Sequence, residues 1–295
     1  MVNKTQIEQE LRQIGDMLLI NGTLTECPGL VYGKMGIAVF FFHYAQYTGN
    51  ELFANYAMDL IGEILNQLHI NSPADYEKGI AGIGVGIDYL IRNNCLNIED
   101  DILEDFDQRM IRAVMYDPWQ DFSQYDGLTG YGRYWISRLR YQEPSAQARK
   151  CLLCITERIE EKLPDIPAEE QTDVYCFLHD LQKIFGFDRC MGLLKRCREW
   201  NLHSVDIRRS FSRFGESATG NIIRMYQRSK YLNNDFQDNI DNNITASSII
   251  NLKQIPDFEH DKAPAAMGLL TGYAGEGLLR LTALLQTKVS WMYLL

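Results

Sequence analysis

Apolar positions along this chain fall into two alternating kinds of segment. One is apolar around its whole circumference, as in "GIAVFFFHYAQYTGN" at residues 36–50, closed by Gly49-Asn50. The other is apolar on one face only, as in "ELFANYAMDLIGEILNQLHI" at 51–70, where Leu52, Tyr56, Leu60, Ile64 and Leu68 recur every fourth residue. The first pattern predicts a buried helix and the second an amphipathic one. The alternation continues with 79–93 against 99–116, whose stripe is Ile102, Phe106, Met110 and Val114, and with 127–141 against 145–162. Further helices are predicted near 168–185, 188–200, 217–231, 236–253 and 268–287, and a helix at 4–20 leads the chain. Strand alternation is missing throughout, so the predicted class is all-α.

A glycine cluster opens four of the buried segments: "GKMGIA" at 33, "GIAGIG" at 79, "GLTGYG" at 127 and "GYAGEG" at 272, all fitting G-x-x-G-x-[AG]. The period is close to 48 residues, with two degraded copies expected between the third and the last. Helical hairpins of this period build an open solenoid or a closed ring, and buried helices alternating with half-exposed ones favour the ring. The expectation is one domain over 1–295, an α/α toroid of about six hairpins. Eleven glycines inside helices would cost roughly 10 kcal/mol, as much as the net stability of a domain. Gly33, Gly36, Gly79, Gly82, Gly127, Gly130, Gly272 and Gly275 are therefore read as structural, placed at helix starts where φ > 0 is wanted or where backbones approach closely. A phosphate cradle is the lesser reading, because a dinucleotide fingerprint needs a preceding strand.

Composition narrows the function. A formal charge of −10 argues against nucleic acid, which is bound through clustered Lys and Arg. The basic patch at Arg208, Arg209 and Arg213 is the exception, read as solvated surface or as a site for an acidic peptide. No apolar run is long enough for a transmembrane segment, and the first residues lack the pattern of a signal peptide, so the cytoplasm is expected. Seven cysteines spread along the chain suit free thiols better than a disulfide framework.

The repeats, in "GLVYGKMGIAVFFFHYAQYTGNELFANYAMDLI", "KGIAGIGVGIDYLI", "YDGLTGYGRYWISRL" and "MGLLTGYAGEGLLRLTAL", resemble the lanthionine synthetase C-like family of α/α toroids. That resemblance implies a peptide cyclase in which a zinc-bound substrate thiolate adds to a dehydrated Ser or Thr; zinc lowers the thiol pKa so that the nucleophile exists near neutral pH. Family members hold zinc with one Cys from W-C-Y-G and a Cys-His pair from C-H-G. Neither motif occurs here, and "FGESATGN" at 214–221 has no Cys or His to match the pair. Asp126, before the third cluster, matches an Asp of the family's third repeat once a one-residue gap is allowed, which implies an acid–base role. Cys176 in "VYCFLHD" stands as the remnant of the W-C-Y-G cysteine.

Cys176 and His179, at i and i+3, share a helix face and would need Cys190, Cys197 or His203 to complete a zinc site; the alternative is that Cys176 and Phe177 fill the core. Cys151 and Cys154 read as packing. His43, Asp88 and Glu276 are candidates to face a central cavity, His43 more readily as a satisfied inner-helix residue, and paired carboxylates there would suit a glycoside hydrolase. The expected function is that of a zinc-free peptide-binding or accessory protein in maturation of ribosomally made peptides, with no cofactor; the expected partners are a peptide substrate or leader peptide and a partner modification enzyme. A rearranged zinc cyclase and a carbohydrate-active toroid enzyme are the alternatives.

Overall fold

The computed structural model of the chain describes residues 4–96, 102–116, 121–141, 145–186, 188–197, 231, 267–270, 272–285 and 290–295. Among them are ten α-helices, two short 3-10 turns and no strand, so the class is all-α. No helix among the described residues is long and apolar enough to cross a membrane. Two compact units divide the chain, one made of 1–70 with 214–295 and the other of 71–213.

The first unit holds α1 (Lys4–Asn21), α2 (Lys34–Thr48), α3 (Glu51–Gln67) and α10 (Tyr273–Leu285). Helix α1 packs on α10, α10 on α2, and α2 on α3. On α1 the buried residues Ile7, Leu11, Ile14 and Leu18 follow the helical period. Helix α2 is buried on nearly every side, from Lys34 to Ala45. It stops where Gly49 turns left-handed at φ 68° and donates its N–H to the Ala45 carbonyl at 2.8 Å. Asn50 then starts α3 by accepting from the Leu52 N–H at 3.1 Å.

The stripe predicted for α3 is displaced. Ala57, Leu60, Ile61 and Ile64 are its buried residues, whereas Leu52 is 71% exposed and Leu68 is the cap rather than a helical residue. Steps of four drift about 40° each around a helix of 3.6 residues per turn, so a four-step run leaves the face it began on. Helix α10 begins at Tyr273, five residues later than the pattern at 268 suggested, because the Met267 and Gly268 carbonyls accept from its first turn and so cap it. The chain ends in a 3-10 turn, Ser290–Leu294, docked by the Trp291 indole N–H donating to the Thr282 hydroxyl at 2.9 Å.

The second unit holds α4 (Ile80–Arg92), α5 (Glu104–Met115), α6 (Leu128–Tyr141), α7 (Ala146–Lys162), α8 (Ala168–Phe185) and α9 (Asp188–Cys197). Helix α4 packs on α6 and α6 on α8, while α5 lies on α4, α7 on α6 and α9 on α8. The predicted alternation is realised: α4 is buried from Ile80 to Leu90, and α5 buries only Phe106, Met110 and Val114. The helices predicted at 217–231 and 236–253 lie outside the described residues apart from Tyr231, which is helical and buried.

Candidate functional site

The four glycine clusters start α2, α4, α6 and α10 with one shared loop. The first helical N–H donates to the carbonyl seven residues earlier in three copies, Lys34 to Cys27, Ile80 to Pro73 and Leu128 to Asp121, each at 2.9 Å. The second helical N–H does the same in three, Met35 to Pro28, Ala81 to Ala74 and Ala274 to Met267, at 3.1–3.3 Å. Donors that a helix start leaves unpaired are thus satisfied by the preceding backbone, which leaves those N–H groups unavailable to a phosphate. The cap glycines are not left-handed: Gly33 and Gly79 have φ of −124° and −101°. Room is what they supply, since a Cβ on Gly33, Gly79 or Gly127 would sit no more than 2.5 Å from the carbonyl oxygen six residues back. Gly36 and Gly130, one turn on, face Leu30 and Gln124 in the same way, and Gly82, Gly272 and Gly275 are buried in their copies.

Five residues after the cap, a further glycine seats an aromatic ring from a neighbouring helix. Gly84 of α4 takes Tyr134 of α6, Gly132 of α6 takes Phe177 of α8, and Gly277 of α10 takes Phe40 of α2. A glycine in mid-helix costs about 1 kcal/mol in propensity, which is offset by letting buried helices approach over an aromatic ring.

Asp126 is half-buried in the α6 loop, and its backbone N–H donates to the Ser123 hydroxyl at 3.3 Å. That loop is braced on both sides. Its Phe122 and Gln124 N–H groups donate to the Glu170 and Asp173 carboxylates of α8, each at 2.9 Å, and the Tyr125 carbonyl accepts from the Tyr76 and Glu77 N–H groups. Arg133 of α6 lies over the Tyr76 ring, 5.7 Å from its centroid.

Asp88 is buried in α4 and accepts from Arg92, four residues on, and from the Ser137 hydroxyl of α6. Burial outweighs these partners and raises its pKa above the ordinary carboxylate value. Beside it, Arg138 grips Asp107 of α5 with two donors, Nε at 3.0 Å and Nη2 at 2.9 Å, and the Tyr134 hydroxyl donates to the same carboxylate at 2.6 Å. Burial, then the charge of Asp107, holds the Tyr134 phenol well above its usual pKa.

In the first unit, Glu276 of α10 is likewise engaged with Arg280 four residues on, at 2.8 Å, and the same guanidinium reaches Glu10 of α1 at 2.9 Å. Asp88 and Glu276 are both committed to buried ion pairs, so general acid–base work by either would first require breaking one. His43 stands on α2 between Phe42 and Tyr44, and burial pushes its imidazole down to about 4. It is neutral at physiological pH and a weak proton acceptor there.

Cys176 and His179 are half-buried on α8, flanked by buried Tyr175 and Phe177. Among the described residues no three His, Cys, Asp or Glu side chains come together to hold a metal. Cys190 and Cys197 of α9 are buried thiols raised to about 11 and about 12 by burial, and Cys151 of α7 to about 12; Cys154 is half-buried. Neutral thiols of this kind are packing groups. His203, Arg208, Arg209, Arg213 and 214–221 lie outside the described residues.

Two features were not foreseen: the Asp107–Arg138–Tyr134 cluster and the Glu10–Arg280 pair. The acid–Arg spacing of four in Asp88/Arg92 and Glu276/Arg280 was a readable signal; the partners on α5 and α1 carried none. No protein-family model and no curated protein matches the chain.

Proposed function

We propose that the chain is an α/α toroid of about six hairpins, of the lanthionine synthetase C-like kind, acting as a zinc-free peptide-binding or accessory protein in the maturation of ribosomally made peptides. One observation carries the ring: Phe40 seats on Gly277 as Tyr134 seats on Gly84. In both cases a residue seven past one cap glycine covers the glycine five past another, so the first and last copies meet as two consecutive copies do. That is what closure of a ring of hairpins requires. The loop shared by four helix starts supports the same reading.

The function rests on the resemblance together with the missing W-C-Y-G and C-H-G segments. A ring that keeps its framework but lacks the zinc ligands retains a surface for a peptide without the means to activate a thiolate. The test is elemental analysis of the purified chain, expressed with zinc available and then mildly chelated. The expected result is substoichiometric zinc and no thioether formation by the protein alone; about one tightly held zinc per chain overturns the reading.

A further inference from the structure

Among the described residues of the first unit, several large apolar side chains are exposed at the end of α1 and the start of α3. Leu19 and Ile20 at the end of α1, Leu24 in the turn after it, and Leu52 at the start of α3 are 42%, 66%, 73% and 71% exposed. They belong to one surface because the Tyr56 hydroxyl, one turn after Leu52, donates to the Leu19 carbonyl at 3.1 Å and so ties the end of α1 to α3.

The charges around these residues are carboxylates, apart from the exposed Arg12 one turn before Asp16 on α1. Asp16 precedes Ile20 by one turn, Glu26 follows Leu24, Glu51 adjoins Leu52, and Asp59 follows Tyr56 by three residues; all four carboxylates are on exposed residues. From Gln13 to Ile70 the sequence has no Arg and one Lys. That residue, Lys34, is buried and paired with Glu63 at 2.5 Å. The stretch therefore presents apolar side chains among carboxylates with no exposed Lys or Arg.

We infer that this surface, at the end of α1 and the start of α3, docks a cationic amphipathic peptide segment. Apolar side chains of such a segment cover Leu19, Ile20, Leu24 and Leu52, and its Lys or Arg side chains meet Asp16, Glu26, Glu51 and Asp59. A second copy of this chain would set carboxylates against carboxylates, and an anionic lipid surface or nucleic acid would be repelled. The inference deepens the peptide-binding reading above and rests on it by naming the chemistry of the peptide.

The test uses the full chain and two labelled synthetic peptides followed by fluorescence anisotropy: a leucine–lysine amphipathic helix about five turns long, and the same helix with glutamate for every lysine. The cationic peptide is expected to bind at least about tenfold more tightly at low salt and to weaken as salt screens the contact. Ile20→Ser with Leu52→Ser, and separately Glu51→Lys with Asp59→Lys, should each weaken it by about tenfold. The melting temperature should stay unchanged for the Ile20/Leu52 pair, whose residues are exposed, and fall by a few degrees at most for the Glu51/Asp59 pair, where Lys replaces a first-turn acid of α3. Equal binding of the two peptides, no binding of the cationic one, or binding indifferent to both double variants overturns the inference. So does sedimentation showing a dimer that Ile20→Ser dissolves. Binding that ignores the variants removes this surface and leaves the peptide-binding reading intact, whereas stoichiometric zinc removes that reading whatever this surface does.

Discussion

Helices α10 and α2 in one unit and α4 and α6 in the other meet over the same glycine-and-ring seat, yet what surrounds the seat differs. Around Phe40 the neighbours are aromatic: its ring stacks on Tyr44 at 5.3 Å, and Phe41 stacks on Phe53 at 5.9 Å and meets Tyr56 edge-on at 4.9 Å. Around Tyr134 an aromatic neighbour, Trp135 edge-on at 5.1 Å, is accompanied by two polar sets, Tyr134 and Arg138 bonded to Asp107 and, beside them, Ser137 and Arg92 bonded to Asp88. The ring at one seat is thus held by non-directional packing and the ring at the other also by a directional bond to a carboxylate, while a buried ion triad, Glu276–Arg280–Glu10, stands on the first unit's α10 and α1 as well. Aromatic packing tolerates a swap of similar volume, whereas a buried network tolerates no loss of a member, because the remaining charge stays buried without compensation.

The largest effect should therefore come from the ionic side. Arg138→Met removes the cation from the Asp107 carboxylate, which is 24% exposed and keeps the Tyr134 hydroxyl as a donor, and is expected to lower stability by about 3 kcal/mol, read from the urea midpoint. Phe40→Leu, its counterpart in the aromatic cluster, should cost about 1 kcal/mol. Equal costs would mean that the two seats are held in the same way.

Glycines test the shared part of the comparison. At Gly79 an added Cβ meets the Pro73 backbone carbonyl, which cannot turn aside, so Gly79→Ala should cost about 3 kcal/mol. At Gly277 it meets the Phe40 ring, which can shift, and Gly277→Ala should cost about 1–2 kcal/mol. A Gly79→Ala variant as stable as the parent would show that the loop moves freely and that the recurring carbonyl caps do not fix the helix starts.

Acid sharpens the contrast from the aromatic side. His43 has a folded-state pKa of about 4, below the ordinary 6.5, so protons bind the unfolded chain more readily. Its contribution is fully present above 6.5 and is lost progressively as pH falls towards 4, amounting to about 2 kcal/mol at pH 5. His43→Gln should flatten that part of the stability–pH curve. Asp88 acts in the opposite sense: its pKa is raised, so its charged form is disfavoured in the folded state as pH climbs through that raised value.

The aromatic packing was legible in the sequence, whereas of the ion pairs only the acid–Arg spacings of four were. "AVFFFHYA" announces a helix buried on all sides, and the spacing of the glycine clusters announces a repeated start, because both depend on neighbours in sequence. The Arg138–Asp107 pair joins residues 31 apart, and Arg280–Glu10 joins residues 270 apart; nothing local to either partner selects the other. The role of the cap glycines was half legible. Their position at helix starts follows from helix cost, but the reason, a carbonyl six residues back occupying the space of a Cβ, depends on how the loop folds. Asp126 was placed in that loop through the resemblance, while Glu170 and Asp173, which brace it, looked like ordinary first-turn acids favoured by the helix dipole.

The smallest expected effects separate the helices buried all round from the amphipathic ones. Helices α2 and α4 start on glycines with no side-chain cap, their first N–H groups being satisfied by loop carbonyls. Helices α3 and α7 use side chains instead: Asn50 accepts from Leu52, and Ser145 accepts from the Ala148 N–H at 3.0 Å. Both caps are solvent-exposed, so water can replace the lost acceptor, and Asn50→Ala and Ser145→Ala should each cost about 1 kcal/mol. The two sites lie in different units and share no partner, so the double variant should cost their sum to within about 0.5 kcal/mol. A larger loss would show that the start of an amphipathic helix is coupled to the loop that opens the buried helix before it, and that the two kinds of cap form one cooperative element.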